Sequence, residues 1–116
     1  MKAFLIDPAK QTVSEIEFYG DWREINRLIG SETFDCVTIN GKGDVVFVDD
    51  EGLLKGLDRF FSVQGYPEPL VGRGLVLGCD AEGETVEPAI NLGLLSQLVA
   101  FGRPAPEGWR AASRKA

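Results

Sequence analysis

Two early stretches, residues 2–7 and 13–18, read as strands, and the second alternates apolar and polar positions with the period of a strand that is buried on one face and wet on the other. In the second of them Ile16 and Phe18 oppose Glu15 and Glu17. The intervening Asp7-Pro8-Ala9-Lys10-Gln11-Thr12 is rich in turn formers, because proline fixes φ and aspartate accepts local backbone bonds, so a hairpin is predicted. The period then changes. Trp22, Ile25, Leu28 and Ile29 recur at helical spacing, with Asp21 as N-cap, Glu24 at the capping-box position and Gly30 as the stop. Arg23, Glu24 and Arg27 fall mainly off the apolar stripe, which predicts a helix over 22–29 lying across a sheet.

A second pair of strands is predicted over residues 34–40 and 45–48, around a reversal at Gly41-Lys42-Gly43-Asp44. Val45-Val46-Phe47-Val48 is apolar on both faces, the pattern of a central strand covered on both sides. Leu53, Leu57, Phe60 and Phe61 fit a helical stripe but Gly52 and Gly56 interrupt it, so residues 53–63 read as irregular or as one short helix. Residues 64–72, with Gly65, Pro67, Pro69 and Gly72, read as a long loop leading to a strand over 75–79, which Asp80-Ala81-Glu82-Gly83 turns back. A last helix is predicted from Asn91 through Leu92, Leu94, Leu95, Leu98, Val99 and Phe101 to Gly102. Only Ser96 and Gln97 are clearly polar there, so this helix is expected either deep in the core or against a second copy, as a homodimer built on Leu92 to Phe101. Together the segments predict one α+β domain over residues 1–102, a mainly antiparallel sheet of about five strands with two helices in the order β-β-α-β-β-β-α. Pro104 and Pro106 end regular structure, and residues 103–116 are expected to form a flexible basic tail with Trp109 as its one anchor.

A chain of 116 residues, 44% apolar and 26% charged, can bury a single core and is not of disordered composition. The net charge of −6 is uneven: the tail holds Arg103, Arg110, Arg114 and Lys115 against Glu107, net +3, which leaves −9 for the first 102 residues. An acidic body repels phosphate backbones, so direct nucleic-acid binding is expected only weakly, through the tail. Cys36 and Cys79 lie in apolar runs with no CxxC pairing, the pattern of thiols packed in a core in a reducing compartment. Four apolar residues before Asp7 are too few for a signal-peptide core, and no stretch is apolar enough to span a membrane, so a cytoplasmic protein is expected.

The chain has no histidine. That removes the commonest general base, neutral metal ligand and partner of a nucleophilic serine or cysteine, and two isolated cysteines cannot complete a zinc set. No cofactor is expected. Two clusters stand as candidate binding residues: Asp49-Asp50-Glu51, after the apolar strand, and the loop that holds Tyr66 and Arg73. The acids are concentrated enough to suggest a hard-cation site, but successive strand residues point to opposite faces, and a solvated turn closed by Gly52 explains them as well. The loop offers a ring for stacking and a cation for an anion, yet it lacks the Gly-Lys-Ser or Gly-Lys-Thr ending of a phosphate loop, so a rigid connection explains it too. The cysteines lack a cationic neighbour in sequence that would lower a thiol pKa, so packing is the expected role.

The N-terminal Lys-Ala-Phe-Leu-Ile-Asp-Pro, then Val46-Phe47-Val48-Asp49-Asp50-Glu51-Gly52-Leu53-Leu54-Lys55-Gly56, then Leu70-Val71-Gly72-Arg73-Gly74-Leu75-Val76-Leu77-Gly78, resemble a domain family of unknown function common in phages, plasmids and their bacterial hosts. The resemblance covers roughly residues 2–80 and departs from the family pattern after Gly56, where Asp58-Arg59-Phe60-Phe61 replaces an asparagine–proline step. It implies an accessory protein that binds a host or defence component. Together with the absent catalytic groups, this makes the leading expectation a non-catalytic protein that binds another macromolecule through an acidic surface. Two rivals are a small-ligand or nucleotide-binding module using Tyr66 and Arg73, and a metal-dependent phosphoryl-transfer enzyme built on Asp7, Asp44, Asp49, Asp50 or Glu51.

Overall fold

A computed structural model describes residues 1–52 and 54–102; the predicted tail, Trp109 and Leu53 lie outside the described residues. β1 (Lys2–Asp7) and β2 (Thr12–Glu17) pair antiparallel from Lys2↔Glu17 to Asp7↔Thr12, the hairpin that the turn residues predicted. Asp7 closes that turn by accepting from the backbone N–H of Ala9 at 3.0 Å and of Lys10 at 3.3 Å. α1 (Trp22–Ile29) begins at Asp21, whose carboxylate accepts from the N–H groups of Arg23 and Glu24, and ends at Gly30 with φ 73°, the left-handed conformation that suits glycine. Glu24 reaches back past the cap to accept from the N–H of Tyr19.

The main sheet adds β3 (Phe34–Thr38), β4 (Asp44–Asp49) and β7 (Gly74–Cys79) in the order β2-β1-β7-β4-β3, antiparallel throughout, with β8 (Thr85–Val86) paired to the C-terminal end of β7. β4 is covered on both faces, as its unbroken apolar run predicted. Val46 and Val48 join one core cluster and Phe47 packs against the other. On one side α1 lays Ile25 and Ile29 over Ala3, Leu75 and Leu77. On the other side Phe4, Ile6, Val46, Val48 and Val76 meet a second layer that the sequence did not predict.

That layer is a three-stranded antiparallel sheet, β6-β5-β9, formed by β5 (Phe60–Val63), β6 (Leu70–Val71) and β9 (Val99–Gly102), with α2 (Leu92–Leu98) beside it. It corrects three expectations. Residues 60–63 are a strand, neither helix nor irregular; the 64–72 loop contains β6; and the last helix stops at Leu98 instead of continuing through Phe101. Pairing decides each case: Phe60↔Gly102, Phe61↔Phe101, Ser62↔Ala100 and Val63↔Val99 bond segments far apart in the chain, which no local period reveals. The α+β class, the antiparallel character and the two helices stand, with nine strands, several of them short, among the described residues where about five were expected.

The split of residues 92–101 between helix and strand also accounts for their apolar surplus. Leu95 is fully buried, Leu92, Leu98, Val99 and Phe101 pack on the larger core cluster, and of the large apolar side chains in the segment only Leu94 is exposed. The surface that prompted the dimer expectation is thus largely used within the chain. Cys36 and Cys79 need a correction: both are exposed free thiols, because β3 is the outermost strand and Cys79 ends β7. No described helix is long and apolar enough to cross a membrane.

Candidate functional site

β1 and β4 end, and β7 begins, at one end of the main sheet. The β7 pairings stop at Ile6↔Gly74 and Phe47↔Leu75, so Arg73 lies just beyond the ladder, between Asp7 at the end of β1 and Asp49 at the end of β4. The β5–β6 ladder brings in a second cation. Phe60 pairs with Val71, and the N–H of Gly72 donates to the carbonyl of Arg59 at 2.9 Å, which sets Arg59 beside the backbone that carries Arg73.

A cleft of about 350 Å³ opens here, lined by Asp7, Ile29, Leu57, Asp58, Arg59 and Arg73, with Gly30 and Gly72 in its wall. The Arg73 guanidinium lies directly over Gly30, where an added Cβ would come within 2.5 Å of Nη2. The glycine that ends α1 therefore also makes room for this side chain. Among the described residues neither Arg59 nor Arg73 has a carboxylate within 4.0 Å, whereas Arg23 and Arg27 on the helix surface pair with Asp21 and Glu24.

The five sequence-predicted residues do not converge. Asp49 turns inward: its side chain is 1% exposed, accepts from Lys55 Nζ at 2.8 Å and from the N–H of Glu51 at 2.9 Å. That hydrogen bond, with the nearby charges of Asp49, Glu32 and Glu51, holds the Lys55 ammonium above its ordinary pKa even though desolvation acts the other way. Asp50 points out and accepts from the Thr33 hydroxyl, and Glu51 is exposed. Tyr66 is half-buried against the larger core cluster, and burial, then Glu68 and Asp35, push its phenol pKa up. Of the five, only Arg73 lines the cleft.

The acids named for metal chemistry are dispersed as well. Asp44 and Asp49 occupy opposite ends of β4, Asp7 closes its own turn, and no group of three or more candidate ligands gathers among the described residues. Asp44 is fully buried and accepts from the N–H groups of Ala89 (2.7 Å) and Ile90 (2.9 Å) and from Asn40 Nδ2 (2.9 Å), which ties the segment before α2 to the sheet. Cys36 is exposed at the edge strand, yet partial desolvation, followed by the charges of Asp35 and Cys79, raises its thiol pKa, the reverse of what a nucleophile needs.

Sequence reasoning missed Arg59. The available signal was an arginine flanking each of two short apolar runs, Arg59-Phe60-Phe61 and Leu70-Val71-Gly72-Arg73, which pairing of the runs brings to one end. Residues 1–92 match the domain of unknown function DUF3846. The chain belongs to this family. The DUF3846 match extends the resemblance seen over residues 2–80 and takes in both cleft arginines and every strand of the main sheet, ending on the first residue of α2. No curated protein and no solved structure matches the chain significantly.

Proposed function

We propose that this DUF3846 domain is a non-catalytic accessory protein that binds another macromolecule through an acidic surface, in the cytoplasm of a bacterium or under the direction of a mobile element it carries. The supporting observation is how the acids divide. Asp44 and Asp49 serve the interior, each held by internal donors, while Asp50 and Glu51 stay at the surface beside Glu32, whose charge, with that of Glu51, is felt by Lys55. A patch of this kind attracts a partner with a basic complement and speeds encounter more than it adds affinity. Two free, exposed cysteines suit a reducing compartment, and the resemblance to mobile-element proteins supports the biological setting.

The test is affinity capture from bacterial lysate with wild type and a charge-reversed D50K/E51K variant. The reading expects a defined partner that is captured at low salt, released as salt rises, and lost on charge reversal. Equal capture by both proteins, or no specific partner in repeated trials, would end it.

A further inference from the structure

The cleft between Arg59 and Arg73 carries a second reading, independent of the acidic patch. We infer that it is a binding site for a small phosphate-bearing ligand, of the size and kind of a nucleoside monophosphate or a sugar phosphate. Arg59 and Arg73 line one cleft with Asp7 and Asp58, yet among the described residues neither arginine has a carboxylate within 4.0 Å, so neither cation is held in an ion pair and the two repel each other. An oxyanion seated between them would relieve that repulsion. The planar fork of arginine matches the oxygens of phosphate with two parallel hydrogen bonds, which makes a pair of such groups a stronger anion site than two lysines.

The other walls define the rest of the ligand. Ile29 and Leu57 give an apolar surface, and the volume of about 350 Å³ lies at the small end of ligand clefts, which run from about 300 to 1,000 Å³. Asp7 spends one carboxylate oxygen, Oδ1, on the turn it closes, and its Oδ2 accepts no hydrogen bond among the described residues. Asp58 is exposed and, among the described residues, has no side-chain hydrogen bond or ion pair, so it can accept from a hydroxyl or amino group. A compact ligand that carries an anionic group, a hydrogen-bond donor and an apolar face satisfies all three. Arg73 is pre-placed, its guanidinium resting over the bare backbone of Gly30, while Arg59 has its backbone held by Gly72. Less side-chain freedom is then lost on binding.

Isothermal titration calorimetry on the full chain at low salt tests this with adenosine 5′-monophosphate, inorganic phosphate, adenosine and citrate. The monophosphate should bind saturably, inorganic phosphate should compete with it, and adenosine should not bind. Arg59→Gln and Arg73→Gln should each weaken monophosphate binding by roughly ten- to a hundredfold, the loss expected for a charged hydrogen-bonding partner. Arg59→Lys, which keeps the charge and removes the fork, should fall between. Arg59 is exposed, so R59Q should keep the wild-type melting temperature and carries the test by itself if R73Q unfolds. No saturable heat at about 10 mM of either phosphate probe, well beyond a millimolar dissociation constant, or equal affinity in R59Q and wild type, would overturn the inference. Citrate binding without monophosphate binding would also overturn it, by assigning the site to carboxylates.

Discussion

Replacing Asp44 with alanine should remove a buried polar tie between the main sheet and the segment before α2. Its carboxylate, 0% exposed, is the common acceptor for the N–H groups of Ala89 and Ile90 and the amide of Asn40, at 2.7, 2.9 and 2.9 Å. Hydrogen bonds to a charged group contribute about 1.5–3 kcal/mol each, and a buried donor left without a partner costs about 1–3 kcal/mol. The Ile90 contact is fully enclosed whereas the other two are partly open to water, so the three losses do not add in full. A total of about 3–5 kcal/mol follows, against the ~5–15 kcal/mol that holds a domain of this size together. At ~4–8 °C per kcal/mol, the melting temperature should fall by at least ~12 °C. Asp44→Asn should lie between the two proteins, because whichever way the amide is turned its NH₂ faces another donor. Thermal and urea melts followed by far-ultraviolet circular dichroism give the size of the effect. Amide hydrogen exchange locates it, since Ala89 and Ile90 should lose protection before the strands of the main sheet. A variant within about 1 kcal/mol of wild type, with exchange at those two amides unchanged, would show that the segment before α2 is held by something else.

Lys55→Met should strand the Asp49 carboxylate and destabilise the fold. Because the folded lysine titrates above its ordinary value of 10.5, its stabilisation is complete below that pH and is lost as pH rises through the higher folded value. Urea melts across this range should show a constant gap between wild type and variant that closes only in strong alkali; closure near neutral pH would refute the assignment. Gly74→Ala should cost ~1–3 kcal/mol by overpacking, read as a lower urea midpoint, since its Cβ would meet Phe61 Cζ at 2.6 Å and Val46 Cγ1 at 2.9 Å.

What could be read from the sequence was what neighbouring residues settle among themselves. Asp21, Glu24 and Gly30 mark the ends of α1 with side chains and a φ that act within a turn or two, and the strand at Val45 to Val48 declares its double burial by composition alone. The small sheet could not be read that way. Phe60-Phe61 and Val99-Ala100-Phe101 are short apolar runs that suit helix or strand, and only their pairing with each other makes them strands. The same holds for the cleft: Arg59 and Arg73 line it together because β5 pairs with β6, and an arginine beside a short apolar run does not declare which other run it will face. Asp44 read as part of a turn because its partners are backbone groups at Ala89 and Ile90, and any residue but proline supplies those.

β9 has a practical bearing on how a minimal domain should be cut. The family match stops at residue 92, but Leu95 is completely enclosed and β9 satisfies one whole side of β5. Trimming to the match would hollow the interior and bare a row of unpaired peptide groups, a ready template for fibrils or for capturing a stray extended chain. The described fold runs at least ten residues past the homology boundary, and a cut at the bench should fall no earlier than residue 102.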